Sequence, residues 1–290
     1  MRPKQMTSRL RTNLRFDIES LYFFHKRPKL LTPNSGRTLI LVPQILWALG
    51  STVLFCSQLM ATTIVAVWTP RRLVVVADSV VTGSVFGSDV IGHMCKIRQI
   101  GRVFLAASGA YESNLADFNL WSLAEQSCSG LVTNVDRCAE HLKNGVVSGM
   151  KRMQAQARSA IAAGYKAQHL YVSFIVIGLE RDSPELVHWT FYAQPNGPIE
   201  QETETFKKSD GRMYARAILG NRIEIDQFIK THPRWRAGTP EEEGRILVKI
   251  EADAFPEHVG PPFSILTLDR RGAHWVDKGC CSSNGCNHRQ

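Results

Sequence analysis

The chain has 290 residues, 44% of them hydrophobic, and a formal net charge of +9. That length holds one large domain or two small ones, and the composition is that of a globular protein, not a disordered one. The charge excludes less than it suggests: residues 1–37 carry nine Lys/Arg against Asp17 and Glu19, residues 38–61 carry no charge, and residues 62–290 keep only +2. A nucleic-acid surface is basic in the folded domain itself, so no nucleic-acid partner is expected.

Residues 38–61 read TLILVPQILWALGSTVLFCSQLMA. A basic stretch followed by an apolar one is the layout of a secretory signal. Ala61 suits the position before the cut, although Leu59 is larger than signal peptidase prefers. The competing reading is an uncleaved anchor, since about 20 apolar residues span a bilayer. The leader is read as cleaved. This makes the protein exported (periplasmic or extracellular), with membrane attachment only if the apolar segment is retained. The expected organisation is a leader at 1–61, one domain at 62–278 and a cysteine-containing tail at 279–290.

Within the body, residues 63–68 and 73–77 are apolar runs separated by Thr69-Pro70-Arg71-Arg72, a hairpin signal. Both runs are apolar at nearly every position, which predicts a sheet covered on both faces. Strands are expected at 96–100 and 103–107. Helices are expected at 114–127 and 133–163, the second from its apolar spacing of three or four, with Thr133 or Asn134 as cap. A strong strand at 170–179 has its hairpin partner at 186–193. Residues 194–209 read as a polar loop, and residues 213–219 and 224–230 as short helices. A helix at 240–255 starts at Thr239 with three acidic residues in its first turn. Strands at 263–268 and 273–276 close the chain. Blocks of strands and helices in this order predict an α+β fold.

Seven cysteines occur. Cys56 would leave with the leader, and the remaining six permit disulfides whose pairing sequence cannot give. The Cys280-Cys281-x4-Cys286 cluster with His288 fits no zinc spacing, so no metal is expected, and no cofactor.

A threonine hydroxyl is a poor nucleophile without a base. At the start of a mature chain its own α-amine can take the hydroxyl proton. If the chain is cut after Ala61, Thr62 holds that position. A nearby cation favours the neutral amine, and Lys96 is the candidate, with Asp78 as the carboxylate that orients it. The attacked carbonyl becomes an oxyanion and needs a backbone donor, for which Gly109 in Ser108-Gly109-Ala110 is placed. Taken singly, each residue has a bland reading: a strand start, a turn aspartate, an edge-strand lysine, a strand-ending glycine. His93 is a loop histidine with no assigned role. The case lies in joint order and spacing.

That order resembles the proteasome β-subunit family among the N-terminal-nucleophile hydrolases. The resemblance is carried by TTIVAVWTPRRLVVVADSVVTG at 62–83, Lys96-Ile97, and AASGA at 106–110. Placing the family's nucleophile on Thr62 brings its aspartate onto Asp78 without a gap. Its lysine then falls on Lys96 and its oxyanion glycine on Gly109. The resemblance implies a four-layer αββα sandwich. It covers residues 62–110 and is only architectural beyond them. Ala61 stands where the family has glycine, and Val80 where it often has arginine. The family's late Asp and Ser near the amine have no counterpart in 256–262, where Glu257 is the nearest substitute. The expected function is an exported threonine hydrolase that cleaves a peptide or amide substrate through an acyl-enzyme. A homo-oligomer is a possible state. The alternative is a non-catalytic binding or scaffold protein of the same fold, held by an uncleaved anchor.

Overall fold

The structure is a computed structural model that describes residues 62–82, 90–113, 116–129, 134–164 and 169–282. All of them belong to the unit Leu49–Gln290. The leader and apolar segment at 1–61, with Cys56, lie outside the described residues, as do Cys286 and His288 of the tail. Among the described residues no helix is long and apolar enough to cross a membrane.

In chain order the elements are β1 (Thr63–Thr69), β2 (Arg72–Ala77), β3 (Val80–Thr82), β4 (Val90–His93), β5 (Ile97–Ile100), β6 (Val103–Gly109), β7 (Glu112–Ser113) and β8 (Phe118–Asn119). Helices α1 (Leu120–Cys128) and α2 (Val135–Ala162) follow, then β9 (Leu170–Glu180), β10 (Ser183–Ala193), β11 (Ile199–Phe206) and β12 (Ala215–Gly220). The chain continues through α3 (Ile223–Thr231), α4 (Pro240–Ala254), β13 (Ser264–Asp269) and β14 (Gly272–Asp277).

One five-stranded sheet has the order β12-β1-β2-β13-β14 and a second the order β11-β10-β9-β6-β5. The pairs β3-β4 and β7-β8 form two separate ribbons. All pairings are antiparallel. The first hairpin turns at Pro70-Arg71, with Ile64 opposite Ala77 and Thr69 opposite Arg72. Thr69 Oγ1 closes the turn, donating to the Arg72 carbonyl and accepting the Arg72 N–H.

Side chains alternate across a strand, and both faces of β1 are covered. Ile64, Ala66 and Trp68 pack with Ala106, Ile175 and Leu186 of the second sheet. Val65 and Val67 pack with Leu247 and Val248 of α4. The expectation of a doubly covered sheet therefore holds: every residue from Ile64 to Trp68 is fully buried. A third apolar cluster joins α1 and α2 to the opposite face of β9 and β10 through Leu142, Met150, Phe174 and Phe191.

The expected α+β, four-layer αββα sandwich is corrected. The described residues make a mixed α/β arrangement of several antiparallel sheets in which strands predominate. Part of the difference comes from segments whose sequence misleads. The polarity of 194–209 predicts a loop, but β11 runs through it. Its IEQETETF alternation is the period of a strand, and as the sheet edge it leaves most of its residues in water. Residues 213–219 have good helix formers, yet 215–220 form β12. The unpaired edge of β1 captures them, and tertiary pairing overrides propensity. The first helix starts at Leu120, not 114, because the Asn119 side chain caps it by accepting from Ser122 N–H.

Asn134 and Thr239 cap α2 and α4 in the same way, through Arg137 N–H and Glu242 N–H. Two disulfides occur among the described residues, Cys95–Cys281 and Cys128–Cys138. The first ties the residue before Lys96 to the C-terminal turn.

Candidate active site

Thr62 immediately precedes β1, and the hairpin returns the chain to Asp78 beside it. The Thr63 N–H donates to Asp78 Oδ1 at 2.8 Å, and the Asp78 N–H donates to the Thr63 carbonyl at 3.2 Å. Val80 N–H donates to Asp78 Oδ2 at 3.0 Å. Lys96 enters from the turn before β5. Its ammonium donates to Asp78 Oδ1 and Oδ2 at 2.9 and 3.0 Å, to the Val80 carbonyl at 2.6 Å and to Thr62 Oγ1 at 2.7 Å.

Thr62, Asp78 and Lys96 are all at least 97% buried. Burial pushes the Asp78 carboxyl up and the Lys96 ammonium down, and each is opposed by the other's charge and hydrogen bonds. Asp78 accepts four hydrogen bonds, two on each oxygen, the arrangement of an ionised carboxylate. The bland reading of Lys96 as a solvated charge is therefore corrected: it is the hub through which Asp78 and the Thr62 hydroxyl meet.

The far side of Thr62 is built by residues that the sequence does not signal. Gly220, the last residue of β12, has φ 82°, and a Cβ there would lie 1.7 Å from the Thr62 carbonyl oxygen. Asn221 N–H donates to that oxygen at 2.7 Å, and Thr63 Oγ1 donates to the Asn221 carbonyl at 2.7 Å. Ser108 Oγ is buried, has no hydrogen-bond partner among the described residues, and would lie 2.5 Å from the same hypothetical Cβ.

Gly109 ends β6 at φ 89°, next to Ser108. A Cβ on it would lie 2.3 Å from the Tyr171 carbonyl oxygen. Close approach of β9 therefore requires glycine there, whatever its N–H does. His93 is not incidental: its Nδ1 is 2.9 Å from Ser79 Oγ, and Ser79 N–H donates to the Gly260 carbonyl at 3.3 Å. Glu257 is half-exposed and lies 3.7 Å from His258, so it takes no part in this network.

Beside the site a cavity of about 370 Å³ is lined by Val81, Met94 and Tyr111 with His93, Arg98 and Trp121. The Arg98 guanidinium lies 4.4 Å from the Trp121 ring centre, and burial pushes the Tyr111 phenol up to about 12. The described residues contain no group of three or more His, Cys, Asp or Glu placed to hold a metal ion.

No family model and no curated protein matches the chain. Among solved structures it is similar to a mutant of Anbu from Hyphomicrobium sp. strain MC1, at 18% identity and a TM-score of 0.44, over 74% of this chain and 87% of that one. It is also similar to Anbu, an ancestral beta-subunit, from Yersinia bercovieri, at 14% identity and a TM-score of 0.43, over 75% and 88%. The resemblance to the proteasome β-subunit family is corrected accordingly. No family model places the chain there, and the neighbours are Anbu proteins at a likeness too low to carry a conclusion about this chain.

Proposed function

We propose that this protein is an exported threonine amidohydrolase, activated when residues 1–61 are removed. The observation that supports the reading is the Lys96 ammonium, which bridges Thr62 Oγ1 at 2.7 Å and both Asp78 oxygens within 3.0 Å. None of the chemical steps depends on a family assignment.

Cleavage of the Ala61–Thr62 bond frees the Thr62 α-amine, whose ordinary pKa is about 8. The neutral amine takes the Oγ1 proton, directly or through one water. Oγ1 then attacks the substrate carbonyl carbon. Lys96 donates to Oγ1 and stabilises the charge that develops there, and its own charge favours the neutral amine. Asp78 keeps Lys96 ionised and fixed. The tetrahedral oxyanion requires a backbone donor, the role given to Gly109 N–H. The substrate C–N bond breaks and its nitrogen leaves with the proton from the amine. Water then hydrolyses the ester on Thr62, releasing the acid and restoring the hydroxyl.

The cavity lined by His93 and Met94 is the nearest candidate in sequence for the acyl side of a peptide or amide, although Thr62, Asp78, Lys96 and Gly109 are not among its lining residues. Its lining joins apolar Val81 and Met94 to the Arg98 guanidinium.

The test begins with the N-terminal sequence and intact mass of protein recovered from its host. A chain starting at Thr62 is expected; any other start sinks the proposal. The processed protein should then be acylated by a β-lactone at Thr62, and Thr62→Ala should abolish that labelling. A chain that keeps its leader would instead favour a tethered, non-catalytic binding protein.

A further inference from the structure

From β9, Tyr171 reaches both Gly220 beside Thr62 and the Gly109-Ala110 segment. Its hydroxyl accepts the Gly220 N–H at 3.1 Å, and its main-chain carbonyl accepts the Ala110 N–H at 2.8 Å. A Cβ on Gly109 would fall 2.7 Å from its ring carbon Cδ1. One side chain thus bears on the two glycines that border the site, one beside the Thr62 carbonyl and the other in the expected oxyanion position. Both are strands' last residues, with no side chain of their own to fix them.

Ser173 stands beside this hydroxyl and, like the Gly220 N–H, opposes the upward push of burial on the phenol. Ser173 Oγ lies 2.9 Å from His188 Nε2 and 3.1 Å from Thr190 Oγ1. On the other side of the ring, His188 Nδ1 lies 3.7 Å from the Glu204 carboxylate, which faces solvent. Glu204 favours a proton on Nδ1, which leaves Nε2 as an acceptor. Thr190 Oγ1 also lies 3.0 Å from His188 Nε2, and Ser173 Oγ donates to the Trp189 carbonyl at 3.3 Å. The Tyr171 oxygen receives the Gly220 N–H. The Tyr192 ring, 5.2 Å from that of Tyr171, closes the remaining side.

We propose that Tyr171 is a positioning residue for the chemistry of Thr62, holding Gly220 and Gly109 in place with Ser173 beside its hydroxyl. The inference rests on the threonine-hydrolase reading for its kinetic consequence, but not for its structural one. Tyr171→Phe keeps the ring and removes the hydroxyl. It leaves the Gly220 N–H without its acceptor beside the Thr62 carbonyl.

The experiment compares wild type, Tyr171→Phe and Ser173→Ala, each purified as its host processes it. Two quantities are read: saturation kinetics of β-lactone labelling at Thr62, and hydrogen exchange of the Gly220 amide. Loss of one buried hydrogen bond beside the reacting group should lower the maximal labelling rate about tenfold in Tyr171→Phe, with the half-saturating concentration unchanged. Ser173→Ala should lower it by a smaller factor. The Gly220 amide should exchange faster in both variants. Unchanged maximal labelling in both, with wild type labelled, overturns the inference. Unchanged Gly220 exchange overturns it whether or not wild type is labelled. A wild type that exchanges as expected but is never labelled at Thr62 overturns the hydrolase reading instead. If Tyr171→Phe does not fold, Ser173→Ala decides on the same two readouts.

Discussion

Gly220 and Thr62 approach so closely that a methyl group on the first would lie 1.7 Å from the carbonyl oxygen of the second. Two independent requirements meet at this glycine, because its φ of 82° also disfavours any side chain. Gly220→Ala must push β12 away from β1 and break the Asn221 hydrogen bond to Thr62. A destabilisation of about 3 kcal/mol or more is expected, at the upper end for a point change. Urea unfolding measures it, and a loss under about 1 kcal/mol would show that the approach is looser than described.

Lys96 and Asp78 are buried together, so removing one strands the other. Lys96→Met should cost about 3–5 kcal/mol because it leaves a buried carboxylate without its cation. Adding Asp78→Asn should recover part of that loss, since the amide carries no charge and its one oxygen can still accept from Thr63 or Val80. A double-mutant cycle reads the coupling directly. Additive losses would mean that the two groups do not interact as their distances indicate.

The two disulfides among the described residues close loops of very different length. Cys128 and Cys138 are separated by 10 residues, Cys95 and Cys281 by 186. Constraint of the unfolded chain grows with loop length, from about 3 kcal/mol for a 15-residue loop to nearly 5 for 100 residues. Cys281→Ser should therefore lower the melting temperature more than Cys138→Ser. The reverse order in calorimetry would show that enthalpic terms outweigh the chain-entropy effect.

Glu185 supplies a pH dependence. It is buried on β10, and neither oxygen has a hydrogen-bond partner among the described residues. Burial, aided by Glu180 and Asp136 and opposed by Lys207, pushes it up to about 8. Between its ordinary value near 4.5 and about 8 the folded chain holds this proton more firmly than the unfolded chain. The stability contributed by this group is thus full at pH below 4.5 and is lost as pH rises through 8. Glu185→Gln should match wild type near pH 5 and melt higher at about pH 9. Equal differences at the two pH values would remove Glu185 as the cause.

Part of the site is legible in the sequence. Thr62, Asp78 and Lys96 lie within 35 positions of one another, and a tight hairpin brings the first two together by its register alone. The apolar pattern of β1 and β2 announces that both faces are covered. Gly220, Asn221 and Tyr171 are not legible: pairing of β12 with β1 across more than a hundred residues brings the first two to Thr62, and Tyr171 reaches Gly220 from the other sheet. Helix-favouring residues at 213–219 hide β12, and with it the glycine that borders the nucleophile. Ser108 stands out in the sequence only as a neighbour of Gly109. Its buried, unpartnered hydroxyl is a property of packing that no spacing encodes.

The burial of β1 sets an order of events. An endopeptidase needs several residues extended and accessible on each side of the bond it cuts. Thr62 is 1% exposed, and residues 63–68 have no accessible surface. An outside peptidase must therefore act while the chain is still unfolded, as during passage through a membrane. Folded precursor mixed with added signal peptidase should stay intact, whereas the same precursor in denaturant should be cut; cleavage of the folded form by the added enzyme would show that the strand opens.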